Sequence, residues 1–264
     1  MYLCPLCQNP LLLHENRYQC LNNHSFDVAR EGYVNLLPVQ QKNSKDPGDN
    51  KDMMLARRQF LQAGWYQPLA DAVCYLLQPL QVQQLLDLGC GEGYYTAQIA
   101  SALPAAQILG VDISKSAIKF AAKAAKHIKF CVASAYQLPF ANHSFDAIVR
   151  IYAPSKVEEL QRLLKTAGHL ITVTPGPQHL VEIKQAVYDS VRLHDDNVAD
   201  LAGFVHQSRQ RLQFKLNFSH SADVLALVQM VPLAWKFSAL QKQQFADSLP
   251  QISIDFLLDV YQRN

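Results

Sequence analysis

The stretch Gln84-Leu85-Leu86-Asp87-Leu88-Gly89-Cys90-Gly91-Glu92-Gly93-Tyr94-Tyr95-Thr96 restricts the fold more than any other part of this chain. A short apolar run reads as a buried strand, enters a turn with glycine at alternate positions, and leaves it as a helix. Glycines so placed let the backbone come against a ligand that no side chain may crowd. Four further apolar runs, at 108–111, 128–132, 145–149 and 169–173, alternate with helical stretches. That alternation predicts parallel βαβ units and an α/β, Rossmann-like sheet.

The flanks complete the domain plan. Residues 53–63 read as a helix stopped by Gly64, and Pro68 suits the first turn of a second helix running to about residue 77. Near the C-terminus, 213–218 and 252–258 are strand-like around a helix at 222–230, an antiparallel pair that would close the sheet. Residues 1–38 show no helical periodicity, only turn signals (Cys4-Pro5, Asn9-Pro10, Asn22-Asn23) between short runs such as Tyr33-Val34-Asn35-Leu36-Leu37, and predict a small β-rich module. Between 40 and 51 the chain is almost free of apolar residues, with Asp46-Pro47-Gly48-Asp49 as a turn nucleus. The expected organisation is a module at 1–38, a linker or lid with a helix at 39–64, and a main domain at 65–264.

Composition narrows the function classes. With 264 residues, 49% of them hydrophobic, the chain can bury a sizeable core, so bulk disorder is excluded. Twenty-four basic against 22 acidic residues give a net charge of +2, which excludes gripping a polyanion by bulk charge; any such contact must be local. No apolar run is long enough to span a membrane, and Met1-Tyr2-Leu3-Cys4-Pro5 has neither a basic nor an apolar leader segment, so a cytoplasmic location is expected.

Three of the six cysteines fall in the first 20 residues, unlike the spread framework of a disulfide-stapled domain. Cys4, Cys7, Cys20 and His24 form C-x2-C-x12-C-x3-H, two short-spaced pairs that a loop can bring to tetrahedral corners. The spacing predicts one structural zinc per chain, whose binding would supply much of the folding energy of so small a module. Cys74, Cys90 and Cys131 lie in apolar segments and read as core residues.

Charge selects the ligand of the glycine loop. The spacing is G-x-G-x-G, not G-x-G-x-x-G, and Asp87 and Glu92 place two carboxylates beside it, which would repel a pyrophosphate and suit a cation. S-adenosylmethionine carries a sulfonium and an ammonium and no phosphate. Asp112, at the end of the next run, can accept from both ribose hydroxyls, or serve as the N-cap of the helix that follows.

At this point the chain resembles a known family. Asp87-Leu88-Gly89-Cys90-Gly91-Glu92-Gly93 looks like the first motif of class I S-adenosylmethionine-dependent methyltransferases, and Leu138-Pro139-Phe140 with Ser144-Phe145-Asp146 resembles later strands of that fold. The cysteine cluster, Glu31-Gly32-Tyr33-Val34-Asn35-Leu36-Leu37-Pro38, Ala56-Arg57-Arg58, Tyr66-Gln67-Pro68, Arg150-Ile151-Tyr152-Ala153-Pro154 and Thr174-Pro175-Gly176-Pro177-Gln178-His179-Leu180 are similar to the RlmA-type 23S ribosomal RNA guanine-N1 methyltransferases. The resemblance implies a zinc ribbon before a seven-stranded methyltransferase sheet, a homodimer, and a guanine in an RNA stem-loop as acceptor. It places the cofactor against Tyr66, Gly89, Gly91, Glu92, Asp112 and His179. Where many such enzymes carry an Asp for adenine, this chain has Ala133-Ser134-Ala135.

Guanine N1 must lose a proton before it can attack a methyl group, and Asp49, Asp52, Glu92 and His179 are the open choices for the base. Tyr152 could stack on the target base, or be a core-edge ring. Arg17, Tyr18, Phe26, Arg30 and Tyr33 alternate cation and ring as an RNA-gripping surface would, although the rings could equally form the core of the module. Arg57 and Arg58 cannot share a helix face, so one is expected toward RNA and the other toward solvent or a carboxylate. Lys115, Lys119, Lys123 and Lys126 read as a solvated helix face. A small-molecule methylase and an inactive RNA-binding protein are the competing readings.

Overall fold

The computed structural model describes residues 2–41 and 51–264. In chain order the elements are β1 (Leu12–His14), β2 (Arg17–Gln19), β3 (Ser25–Asp27), β4 (Val34–Asn35), α1 (Lys51–Gln62), α2 (Gln67–Leu77), β5 (Gln84–Leu88), α3 (Tyr94–Ala102), β6 (Gln107–Asp112), α4 (Lys115–Ala124) and β7 (Lys129–Val132). They continue with β8 (Phe145–Ile151), α5 (Val157–Leu163), β9 (Leu164–Pro175), α6 (Val181–Gln185), β10 (Phe204–Leu216), α7 (Ser221–Met230), α8 (Ala239–Asp247) and β11 (Ile252–Arg263). The turn nucleus at Asp46–Asp49 lies outside the described residues.

Local chemistry accounts for the boundaries. Gly64 ends α1 with φ of 82°, a conformation glycine adopts without strain, and Pro68 sits in the first turn of α2. Ser114 caps α4 by accepting from the Ala117 N–H at 3.3 Å. A capping box between Ser238 and Gln241 starts α8, a helix absent from the periodicity reading because most of it is exposed and Ala246 alone is buried.

The strands form two sheets. β1-β2-β3 is a small antiparallel sheet, and the large one runs β10-β11-β9-β8-β5-β6-β7-β4. In the large sheet β11 alone among the strands runs against the others, pairing antiparallel with both β9 and β10. The closing pair is therefore antiparallel as expected. Its first strand starts at Phe204 rather than near 213, because the edge position of β10 lets polar residues such as His206, Gln207 and Arg209 form strand without an apolar pattern.

The expected seven strands become eight. Val34 and Asn35 leave the N-terminal module and pair parallel with Cys131 and Val132, adding β4 to the edge of the sheet. The Leu3 N–H also bonds the Pro139 carbonyl at 2.8 Å, and the Leu36 N–H the Val132 carbonyl at 2.9 Å. Reading Tyr33–Leu37 as part of a self-contained module missed this, because the partner strand lies almost 100 residues away.

Each face of the sheet has its own core. Successive residues alternate between them: Leu85, Ala147 and Ile171 face α1, α2, α3, α4 and α7, while Leu86, Ile148 and Leu170 face α5 and the N-terminal module. No helix separates β7 from β8, and the module fills that place. Tyr2 packs on Phe140 with centroids 5.7 Å apart, and Phe140 meets Phe145 edge to face at 5.3 Å. Phe140 is thus the joint between module and sheet. Phe140→Ala is expected to cost about 3–5 kcal/mol in urea unfolding and to speed proteolysis of the first 38 residues in the native protein.

Candidate cofactor cleft and metal centre

The metal centre rests on two tight turns. The Gln8 N–H returns to the Cys4 carbonyl and the Asn23 N–H to the Cys20 carbonyl, with Gln8 and Asn23 both at φ near 60°, so that each pair of ligands turns inward. Cys4, Cys7, Cys20 and His24 lie with their ligand atoms within 4.8 Å of one another. Cys7 Sγ stands 3.6 Å from Cys20 Sγ, and His24 Nδ1 stands 3.4 Å from Cys4 Sγ and 3.5 Å from Cys20 Sγ. A tetrahedral zinc with ordinary bond lengths requires S···S near ~3.8 Å and S···N near ~3.5 Å. The four residues fit zinc without rearrangement. The Asn9 backbone N–H and His24 draw the Cys7 thiol down to about 6, toward the thiolate a metal needs, while burial holds Cys4 up at about 11.

The second site lies where β5, β6, β8 and β9 end together, at the point where the order of the parallel strands reverses between β5 and β8. The glycine loop follows β5. Asp112, at the end of β6, accepts from the Gly91 N–H at 2.9 Å and the Ser114 N–H at 2.8 Å, so one carboxylate ties the loop to the next strand. Ser114, not Asp112, is the N-cap of α4. A side chain at Gly89 would fall on Ala153, and one at Gly93 would come within 2.9 Å of Ala121, whereas Gly91 faces open space. Gly91 therefore marks where a ligand can lie, and its neighbours hold the loop against the protein.

Two polar atoms around this space are buried without a hydrogen-bond partner, Glu92 Oε1 and Tyr66 Oη. Burial raises the Glu92 carboxyl, with Arg58 and Arg57 opposing the shift. Arg57 Nη2 reaches the Met230 carbonyl at 3.3 Å and Arg58 lies 4.9 Å over the Phe120 ring, and the charges of both act on the Glu92 carboxylate, the carboxylate alternative expected for one of them. An orphaned carboxylate oxygen and an orphaned hydroxyl beside an open glycine suit a small cationic ligand with hydroxyl groups, the chemistry of S-adenosylmethionine.

Asp87 sits beneath the loop, 2% exposed, and accepts from Thr96 Oγ1 at 2.6 Å. Burial pushes its carboxyl up to about 7, with the Asp112 charge adding to the effect and the Thr96 bond opposing it. Ser134 accepts from the Tyr136 N–H at 3.3 Å, a turn contact.

Opposite the loop, Tyr152 and Leu180 hold φ of 57° and 54°, unusual for residues with side chains and frequent where geometry serves a site. Tyr152 Oη is 3.4 Å from His179 Nε2, the Asp255 N–H donates to His179 Nδ1 at 3.4 Å, and the His179 ring packs on Phe256 at 4.8 Å. Phe256 also meets Tyr66 edge to face at 5.1 Å and so joins the two walls. Burial drives His179 down to about 3, which keeps it neutral and a weak proton acceptor. Of the other candidate bases, Asp49 is outside the described residues and Asp52 is exposed on α1.

Reading the sequence missed Asp255. Its carboxylate receives Arg211 through two bonds at 2.7 and 2.9 Å and the Gln178 N–H at 2.9 Å, fixing the segment that carries His179. The alternation Arg209-Gln210-Arg211 opposite Asp255 and Asp259 was the available signal. Tyr18 and Tyr33, expected on an RNA-gripping face, are instead packed: Tyr18 edge-on to Tyr2 at 5.1 Å, and Tyr33 buried in the core. Phe26 packs against the core as well. Lys115, Lys119, Lys123 and Lys126 are exposed as expected, with Lys119 paired to Glu31 at 3.5 Å.

Two outcomes are expected. Cys7→Ser should lower zinc from about one per chain toward zero by elemental analysis. Without cofactor, stability should fall as pH rises from about 4 to about 7, because native Asp87 holds a proton that an ordinary carboxyl, at 3.8, has lost. Asp87→Asn should flatten that part of a urea-midpoint profile.

Two families match separate stretches of the chain. The family described as "RlmA, N-terminal" matches residues 2–45, and that described as "Methyltransferase domain" matches residues 82–223. The chain is 32% identical over 96% of its length, and 95% of the relative's, to "Putative 23S rRNA (guanine-N(1)-)-methyltransferase YxjB" of Bacillus subtilis strain 168. It is 31% identical over 88% of its length, and 85% of the relative's, to the 23S rRNA (guanine(748)-N(1))-methyltransferase of Streptomyces fradiae. A solved structure reported under "Conversion of a Disulfide Bond into a Thioacetal Group during Echinomycin Biosynthesis" superposes with a TM-score of 0.50 at 16% identity, over 73% of this chain and 82% of that one, a likeness of fold alone. A ribbon built to hold zinc, joined edge to edge with a methyltransferase sheet and matched along nearly its whole length, makes this chain a member of the RlmA-type 23S rRNA (guanine-N1)-methyltransferase family.

Proposed function

We propose that the protein transfers a methyl group from S-adenosylmethionine to N1 of one guanine in an unpaired part of 23S ribosomal RNA. The observation that carries this reading is the end-to-end similarity to guanine-N1 methyltransferases, ribbon and catalytic sheet together. A small buried acceptor would have no use for a zinc module built into the edge of the sheet.

The bound cofactor supplies an electrophilic methyl on a sulfonium. The residues of the chain supply position and exclusion of water. Glu92 and Tyr66 offer their free oxygens to the amino and hydroxyl groups of the cofactor, Asp112 faces its ribose, Gly91 leaves room for it, and Gly89 keeps the loop close against Ala153. Asp87, close beneath, adds negative potential that a cation would strengthen by drawing its proton off. His179 positions Tyr152 through the Oη contact, and the exposed face of Tyr152 is available to the flipped base. Transfer would form the N1–carbon bond as the sulfur–carbon bond of the cofactor breaks, after N1 has given its proton to a base.

In this reading residues 1–38 recognise RNA, 39–64 link, and 65–264 carry out transfer, in a cytoplasmic homodimer. Among the described residues no helix is long and apolar enough to cross a membrane. The test is incubation of the zinc-loaded protein with labelled cofactor and in-vitro transcribed 23S RNA, followed by reverse transcription. A methyl on N1 blocks Watson–Crick pairing, so a single stop one nucleotide to the 3′ side of a guanine is expected, and label without such a stop would overturn the position. Glu92→Gln should weaken cofactor binding by about 10-fold in calorimetry, the range for a bond to a charged group.

A further inference from the structure

The rings expected to stack RNA on the zinc module are spent on packing, so a protein that handles unpaired nucleotides must offer ring faces elsewhere. One cluster does. Trp235, in the turn at Pro232–Lys236 after α7, is 75% exposed, and Tyr188, just beyond α6, is 38% exposed. The Lys236 ammonium lies 4.1 Å from the Trp235 ring centroid and 5.6 Å from that of Tyr188, so a single cation bridges the two rings.

Two short chains of contact tie this cluster to the two walls of the cleft. On one side α7 ends at Met230, whose carbonyl receives Arg57 of α1, the residue whose charge reaches Glu92 and Tyr66. On the other, the Tyr188 N–H bonds the Lys184 carbonyl at 2.9 Å, in the helix that follows His179 and its contact with Tyr152.

We infer that Trp235, Tyr188 and Lys236 form a stacking platform that holds unpaired nucleotides flanking the target guanine at the rim of the cleft. Ring faces accept any base, and a lysine between them meets the backbone phosphate, a pairing of surfaces that suits single-stranded RNA. This rests on the RNA reading above and adds to it where the strand lies. It also fits the near-neutral charge of the chain: local rings and one cation replace a basic face.

The test uses the full-length, zinc-loaded protein and in-vitro transcribed 23S RNA. Trp235→Ala is expected to weaken RNA binding roughly 10-fold, within the range for loss of one base stack, with cofactor binding unchanged, and Trp235→Phe to restore most of it. Tyr75→Ala, an equally exposed ring at the opposite end of the strands beside His169, serves as the control and should bind as the parent does. In a Trp65→Phe background, where Trp235 is the remaining tryptophan, RNA should quench its emission and shield it from acrylamide. If the parent methylates the RNA yet Trp235 stays open to acrylamide in the complex, or Trp235→Ala and Tyr75→Ala behave alike, the platform is wrong and the RNA reading stands. If the parent neither binds nor methylates the RNA, both fall.

Discussion

The parallel pairing of β5 with β6 on one side and β8 on the other is the constraint on which the rest of this molecule depends. Strands that run the same way end on the same edge, so the glycine loop, Asp112, Tyr152 and the segment carrying His179 arrive together although 20 to 88 residues separate the last three from Gly91 and Glu92. The reversal of strand order at β5 opens the edge there instead of closing it. Gly89 and Tyr152 are the first residues past β5 and β8, and Asp112 is the last residue of β6, so rigid elements set their positions rather than loop conformation.

The electrostatics of the edge follow from burial. Asp87 and Glu92 are raised carboxyls in a region that water barely reaches, and His179 is a depressed imidazole across from them. Without a cation such a group of acids is unfavourable, and Glu92 Oε1 has no hydrogen-bond partner among the described residues. A positively charged ligand relieves both conditions, whereas a phosphate relieves neither. This is why the same strand–loop–helix geometry that serves dinucleotides elsewhere points here to a sulfonium cofactor.

The zinc module contributes to the fold as much as it draws from it. It takes the position a helix would hold between β7 and β8, supplies β4 as an extra strand, and shares a core with the sheet through Tyr2, Phe140 and Phe145. Tyr2 is consumed by that joint, Tyr18 and Phe26 pack partly buried against it, and Tyr33 is buried in the core on the other face of the sheet. The ring faces left for nucleic acid therefore belong to the catalytic domain, around Tyr152 and on the far side of α6 and α7.

The elements governed by local chemistry could be read from the amino acids alone. The buried runs that become β5 to β9, the caps and stops of α1 and α2, the glycine loop and the four metal ligands each follow from residue types at short spacing, because strand burial, helix capping and chelation by turns act over a few residues. Long-range placement could not be read this way. That Tyr33 and Tyr18 turn inward, that β4 joins a strand a hundred residues on, that polar β10 is a strand at all, that Asp255 anchors the loop of His179 and that Arg57 bonds α7 all depend on which surfaces meet. Periodicity reveals that a residue is apolar or paired, but only the tertiary structure decides with what, since packing partners are chosen by three-dimensional proximity and leave no fixed spacing in the chain.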